Sequence, residues 1–147
     1  MGGHPWFYFV AYEPDVNAAL QKLRDTEFAA GRYNPAVDFP EFPVNPNAPA
    51  PGAQHDSIEE AFEDADADGT RSILDMMTVS DSPDFNAVAP LPLEDLQELF
   101  GTDKPTRAMI EESDELYEKL ERGQGVYIIA YTDEQPSEIF FAGYSFD

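Results

Sequence analysis

The sequence predicts an α+β fold: a small, mostly antiparallel sheet with about four helices packed on one side of it. Three observations carry that expectation. Aromatic and β-branched runs stand at both ends of the 147 residues, WFYFVAY at Trp6–Tyr12 and GVYIIAYTD with SEIFFAGYSF at the C-terminal end. Between them lie several short amphipathic stretches with helix caps. The order β-α-α-β-α-α-β-β ends in a hairpin, which is antiparallel by construction, and the N-terminal strand is expected beside it. One domain spanning 1–147 accounts for the length.

Each element follows from local chemistry. In Trp6–Tyr12 both alternating faces are apolar, so a central position in the sheet is expected. Asp15 is an N-cap, Val16, Ala19, Leu20 and Leu23 form one stripe, and Gly31 closes that helix. The segment at about 32–54 holds six of the 13 prolines, which exclude helix or central strand there. An extended strap pressing Val37, Phe39, Phe42 and Val44 onto the body is expected. Ser57-x-x-Glu60 is a capping box for a helix to about Ala65. Ser72–Ser80 is expected as a strand. Pro90 and Pro92 frame a helix stopped by Gly101, and Thr106 caps another running to about Arg122. The last two strands meet in a turn around Glu134–Pro136, longer than the tightest hairpin loop.

Charge sets the class of partner. Thirty Asp and Glu stand against eight Lys and Arg, a formal net charge of -22. Such a surface repels nucleic acid and anionic membranes and attracts cations and basic proteins. Nineteen aromatic residues in 147 argue against an acidic disordered chain. No cysteine is present, which removes disulfides, thiolate zinc sites and a thiol nucleophile. No apolar run reaches the roughly 18 residues of a membrane span, and the first residues carry no signal-like pattern, so a cytoplasmic location is expected.

Four motifs carry candidate chemistry. Asp64, Asp66 and Asp68 with Gly69 give D-x-D-x-D-G, and Asp75 falls at the twelfth position. Alternating carboxylates around a sharp turn suit calcium. This loop resembles that of an EF-hand over about a dozen residues only. It departs in having Arg71 at position eight, Asp rather than Glu at twelve, and a strand-like segment after it. The second motif is Gly2-Gly3-His4, which with a free amine is a square-planar set for Cu(II) or Ni(II). The third is Arg32-Tyr33-Asn34 with Arg71, two scarce cations at element boundaries that could hold a small anionic ligand. The fourth, His55-Asp56-Ser57, does not make a catalytic triad from adjacent residues, and Ser57 is better used as a cap. No phosphate loop or dinucleotide fingerprint occurs.

The segments AGRYNP (30–35), DGTRSILDM (68–76), GTDKPTR (101–107) and SEIFFAGYSFD (137–147) resemble a family of small uncharacterised bacterial proteins. The resemblance implies a bacterial cytoplasmic domain and carries no functional residue over. The expected function is therefore a non-enzymatic binding protein for a basic protein partner, in concrete form an inhibitor or immunity protein. Calcium binding through Asp64–Asp75, or a small-molecule site or enzyme around Arg32 and Arg71, are the alternatives.

Overall fold

A computed structural model describes residues 4–146. One five-stranded sheet runs in the order β1-β5-β4-β3-β2, with β1 at Pro5–Ala11, β2 at Thr78–Val79, β3 at Ala87–Pro90, β4 at Gly125–Thr132 and β5 at Gln135–Tyr144. The helices are α1 (Val16–Ala30), α2 (Ile58–Ala65), α3 (Leu93–Phe100) and α4 (Arg107–Glu111), with 3₁₀ turns at Asp66–Asp68, Ile73–Asp75 and Glu115–Lys119.

The first and last strands lie side by side, as expected. β1 and β5 pair antiparallel from Pro5↔Tyr144 to Ala11↔Glu138. β5 and β4 form the hairpin. The sheet is nonetheless mixed: β3 pairs parallel with both β4 and β2. β3 escapes a sequence reading because Ala87–Pro90 is four residues long, buried at its first three positions, and shows no alternation. The seven residues between β2 and β3 return the chain parallel without a helix. This works because β2 is only two residues long, and fewer than ten extended residues span it easily.

Helices cover both faces, not one. Trp6, Tyr8, Leu20, Leu23, Ile73, Leu74, Ile139 and Phe141 form one core beneath α1 and α2. Ile110, Leu116, Ile128, Phe140 and Ala142 form the other, beneath α3 and α4. This also explains the N-terminal strand. β1 is apolar on both faces because layers lie above and below it, yet it is the outermost strand and β5 is central. Alternation reports the layers above and below a strand, not its lateral neighbours.

The caps read from sequence are in place. Asp15 accepts from the Ala18 N–H at 3.1 Å and Gly31 ends α1 with φ 75°. Ser57 accepts from the Glu60 N–H at 3.1 Å, while Glu60 receives the Asp56 N–H at 3.2 Å. Gly101 closes α3. The helix expected from Thr106 to Arg122 instead stops at Glu111 and resumes as a 3₁₀ turn. A continuous helix would stack Glu111, Asp114, Glu115, Glu118 and Glu121 at spacings of three and four, each like-charge pair costing a few tenths of a kcal/mol. The break still delivers Ile110, Leu116 and Leu120 to the core. Ser72–Ser80 is likewise a 3₁₀ turn followed by two strand residues. The hairpin loop is tighter than expected: Thr132 pairs with Gln135, and Asp133 and Glu134 between them both have positive φ, the twist a two-residue turn requires. Pro136 lies in β5 opposite the irregularity at Ala130/Tyr131, where a missing donor is tolerated.

The proline-rich strap is ordered against the body. Its base is closed where the Gly52 N–H donates to Ala30 O at 2.9 Å. A Cβ at Gly31 would sit 2.2 Å from Gly52 O, so that position admits only glycine. Phe42 and Val44 pack on the first core; Phe39 remains 63% exposed. Among the described residues no helix is long and apolar enough to cross a membrane.

Candidate functional site

The residues nominated from sequence form a structural junction. Arg32 donates to both carboxylate oxygens of Glu27, at 2.9 Å from Nε and 2.8 Å from an Nη. Glu27 is 3% exposed, and the bond to it raises the Arg32 pKa above its ordinary value, burial opposing. Tyr33 is fully buried and stacks on Phe28 at 5.7 Å between centroids. Its hydroxyl accepts the Gln54 N–H at 3.0 Å and meets His55 Nδ1 at 2.8 Å, while His55 Nε2 meets Asp64 at 2.9 Å. Asn34 donates from its backbone to Thr70 O at 2.8 Å and from Nδ2 to Gly69 O at 2.9 Å. Arg71 donates to Asp38 O at 2.6 Å and lies 4.5 Å from the Phe39 ring centroid. Three of the segments singled out from sequence therefore meet at Gly69, where a Cβ would also touch Phe146 at 3.2 Å. These contacts lock the strap and the 68–76 loop to the body, and the Arg32 fork is spent on the chain's own acid.

The four aspartates of the calcium-like pattern do not converge. Asp64 faces His55. Asp66 sits past the end of α2 with φ 53°. Asp68 lies 3.9 Å from Arg71. Asp75 turns inward, fully buried, and accepts from Thr70 N and Oγ1 at 2.7 and 2.8 Å. Among the described residues no three carboxylate or imidazole groups are placed to hold a metal ion. Of Gly2-Gly3-His4 only His4 is among the described residues; its backbone pairs with Ser145.

Asp75 has a consequence for stability. Burial lifts its pKa from 3.8 to about 6, against the pull of the Thr70 bonds, the Arg71 amide and the Arg24 charge. Among the described residues Oδ2 has no partner within hydrogen-bond geometry. The folded pKa exceeds the unfolded one, so this group favours folding below pH 4 and loses that contribution as pH rises through about 6. A shift of this size costs about 3 kcal/mol at neutral pH. Asp75→Asn should therefore be more stable than the parent by roughly 2 kcal/mol at pH 8 and equal to it near pH 4, by urea unfolding. A gap that does not change with pH would contradict this.

A surface that sequence reasoning missed lies along the outer side of β1. A trough of about 440 Å³ is lined by Phe7, Phe9, Pro43, Ile110, Tyr117 and Phe140, with Glu111 and Asp114 at its rim. A smaller pocket of about 190 Å³ opens beside it, between the strand at Phe7–Phe9 and the strap at Pro43–Val44. The rings interlock: Phe7 lies 6.1 Å from Phe42 and 6.3 Å from Tyr117, and Phe9 lies 4.8 Å from Phe140. Arg107 covers Phe9 at 4.2 Å and is bound by Glu138 at 2.8 Å and Glu111 at 3.4 Å. Recognising β1 as the outermost strand would have pointed here.

Three other cations are also held by the chain's own groups. Lys22 pairs with Glu13, Lys119 with Asp95 and Glu98, and Arg24 donates to Gln21 and Leu74 O. The acids of α2, Glu59, Glu60 and Glu63, are exposed, as are Glu112, Asp114 and Glu115 beyond α4. Comparison of the chain with family models, with curated proteins and with solved structures finds no match.

Proposed function

We propose that this chain is a non-enzymatic binding protein whose acidic, aromatic-edged surface receives a basic protein partner. One observation carries the reading. An aromatic trough at the sheet edge is rimmed by exposed carboxylates, while the Arg nearest to it is already bound by two of this chain's acids. Aromatic rings supply contact area that loses water on binding, and exposed carboxylates supply attraction and orientation. In concrete form the protein is an inhibitor of the immunity type, masking the cationic surface of a nucleic-acid-handling enzyme.

The expected behaviour is electrostatic steering. Captured from lysate at low salt, the partner should be a stoichiometric protein of basic isoelectric point. Its association rate should fall about 100-fold between low and high salt, with dissociation changing much less. Capture of no basic protein, or an association rate indifferent to salt, counts against the reading.

A further inference from the structure

β1 offers more than side chains. It pairs with β5 alone, and the ladder is fixed at both ends: the Ser145 N–H donates to His4 O at 3.0 Å, and the Tyr12 N–H donates to Ser137 O at 3.1 Å. The register between them is unbroken. In an antiparallel ladder the bonded pairs alternate, so Trp6, Tyr8 and Val10 bond to β5. The N–H and C=O groups of Phe7, Phe9 and Ala11 then point away from the sheet. Pro5, the remaining outward residue, has no N–H to offer. Among the described residues no strand pairs with this side.

The space beside these groups is bounded rather than closed. The strap stands opposite at Pro43 and Val44, with Leu23 and Glu27 behind and Arg107 at the mouth. On the other face the trough continues to Tyr117 and Asp114. An open edge of this kind invites either a second copy of the chain or a strand from another protein. Charge decides between them. Two chains of net charge -22 repel, and the rim acids Glu111 and Asp114 of one copy would face the equally acidic surface of the other. A basic strand meets the same acids favourably, and the Arg107 stacking on Phe9 is the kind of contact a cation makes with these rings.

Resting on the reading that the partner is basic, we propose that it binds by strand addition. An extended cationic segment without proline at its bonded positions lies along β1 as a sixth strand. Its main chain exchanges hydrogen bonds with Phe7 and Phe9, and alternate side chains enter the trough.

The test uses synthetic peptides on the full chain, which avoids variants that fail to fold. The probes are Lys-Val-Lys-Val-Lys-Val-Lys, the same peptide N-methylated at alternate backbone amides, and its Glu-for-Lys counterpart. Amide hydrogen exchange is followed by NMR at about 20 mM salt, where screening is weak. The expected result is about tenfold slower exchange at Phe7 and Phe9 with the basic peptide. Trp6, Tyr8 and Val10 should be unchanged, and the effect should vanish with the methylated and acidic peptides. Binding by the methylated peptide as tight as by the unmodified one overturns strand addition while leaving the basic-partner reading standing. So does binding of the basic peptide with no slowing at Phe7 and Phe9. Slowing of the same amides by raising protein concentration without peptide assigns the edge to a second copy and also overturns the proposal. Failure of the basic-partner reading itself shows separately, as capture of no basic protein from lysate.

Discussion

Gly143→Ala should destabilise the protein by about 3 kcal/mol, at the upper end of overpacking costs. Trp6, Gly143, Gly125 and Val88 form one row across β1, β5, β4 and β3. The fully buried Trp6 indole lies across the two glycines. A Cβ at Gly143 would fall 2.5 Å from the indole Cζ2 and 2.6 Å from Gln124 O. The second neighbour is backbone and cannot rotate away, and the first is pinned by the core around it. Removing the ring instead, in Trp6→Ala, should cost about 3–5 kcal/mol through the cavity left behind. The two sites touch, so Trp6→Phe combined with Gly143→Ala should cost less than the sum of the single changes. Denaturant unfolding of the four proteins checks this. Strict additivity would show that the indole does not occupy the glycine row.

Arg32→Leu should cost about 3–5 kcal/mol, because it strands the Glu27 carboxylate in the interior. Glu27 continues the buried stripe of α1 one turn beyond Leu23, a position where an acid survives only with a partner. Arg32 supplies it through two parallel bonds from just past the Gly31 cap. Lysine offers one ammonium in place of the fork, so Arg32→Lys should recover only part of the loss. Burial raises the pKa of the nearby Tyr8 hydroxyl well above its ordinary value and the Glu27 charge adds to this, so no tyrosinate competes for the guanidinium. Replacing both partners, Glu27→Leu with Arg32→Leu, should restore much of the stability lost by Arg32→Leu alone. If Arg32→Leu unfolds at the parent's denaturant midpoint, the pair is not holding the strap, and a ligand role for Arg32 regains its interest.

What could be read from sequence was local. Asp15, Gly31, Ser57, Glu60 and Gly101 act within one helical turn of themselves, and their chemistry names the helix ends without reference to the rest of the chain. The pairing of the two aromatic ends was also legible, since few other segments could bury Trp6, Phe140 and Phe141. What failed needed lateral information. Whether β1 is central or outermost depends on where β3 sits, and Ala87–Pro90 is too short to announce itself. The break after Glu111 depends on summed repulsion among acids, each weak alone. The Asp64–Asp75 pattern misled because spacing is not direction. Helix α2, the 3₁₀ turn and the inward turn of Asp75 send the four carboxylates apart. Arg32, Tyr33, Asn34 and Arg71 were nominated as a small-ligand site because they stand at element boundaries, and the hydrogen bonds they make run to the chain itself.

The proposed binding surface depends on β1 being an outermost strand with an unpaired row of amides. Residue-resolved amide exchange on the free protein measures this directly. A period of two is expected along the strand: Trp6, Tyr8 and Val10 slow, Phe7, Phe9 and Ala11 faster by about a hundredfold or more. Equal protection at Phe7 and Phe9, independent of protein concentration, would mean that this side of β1 is already bonded within the chain, and the account of the binding surface would fail.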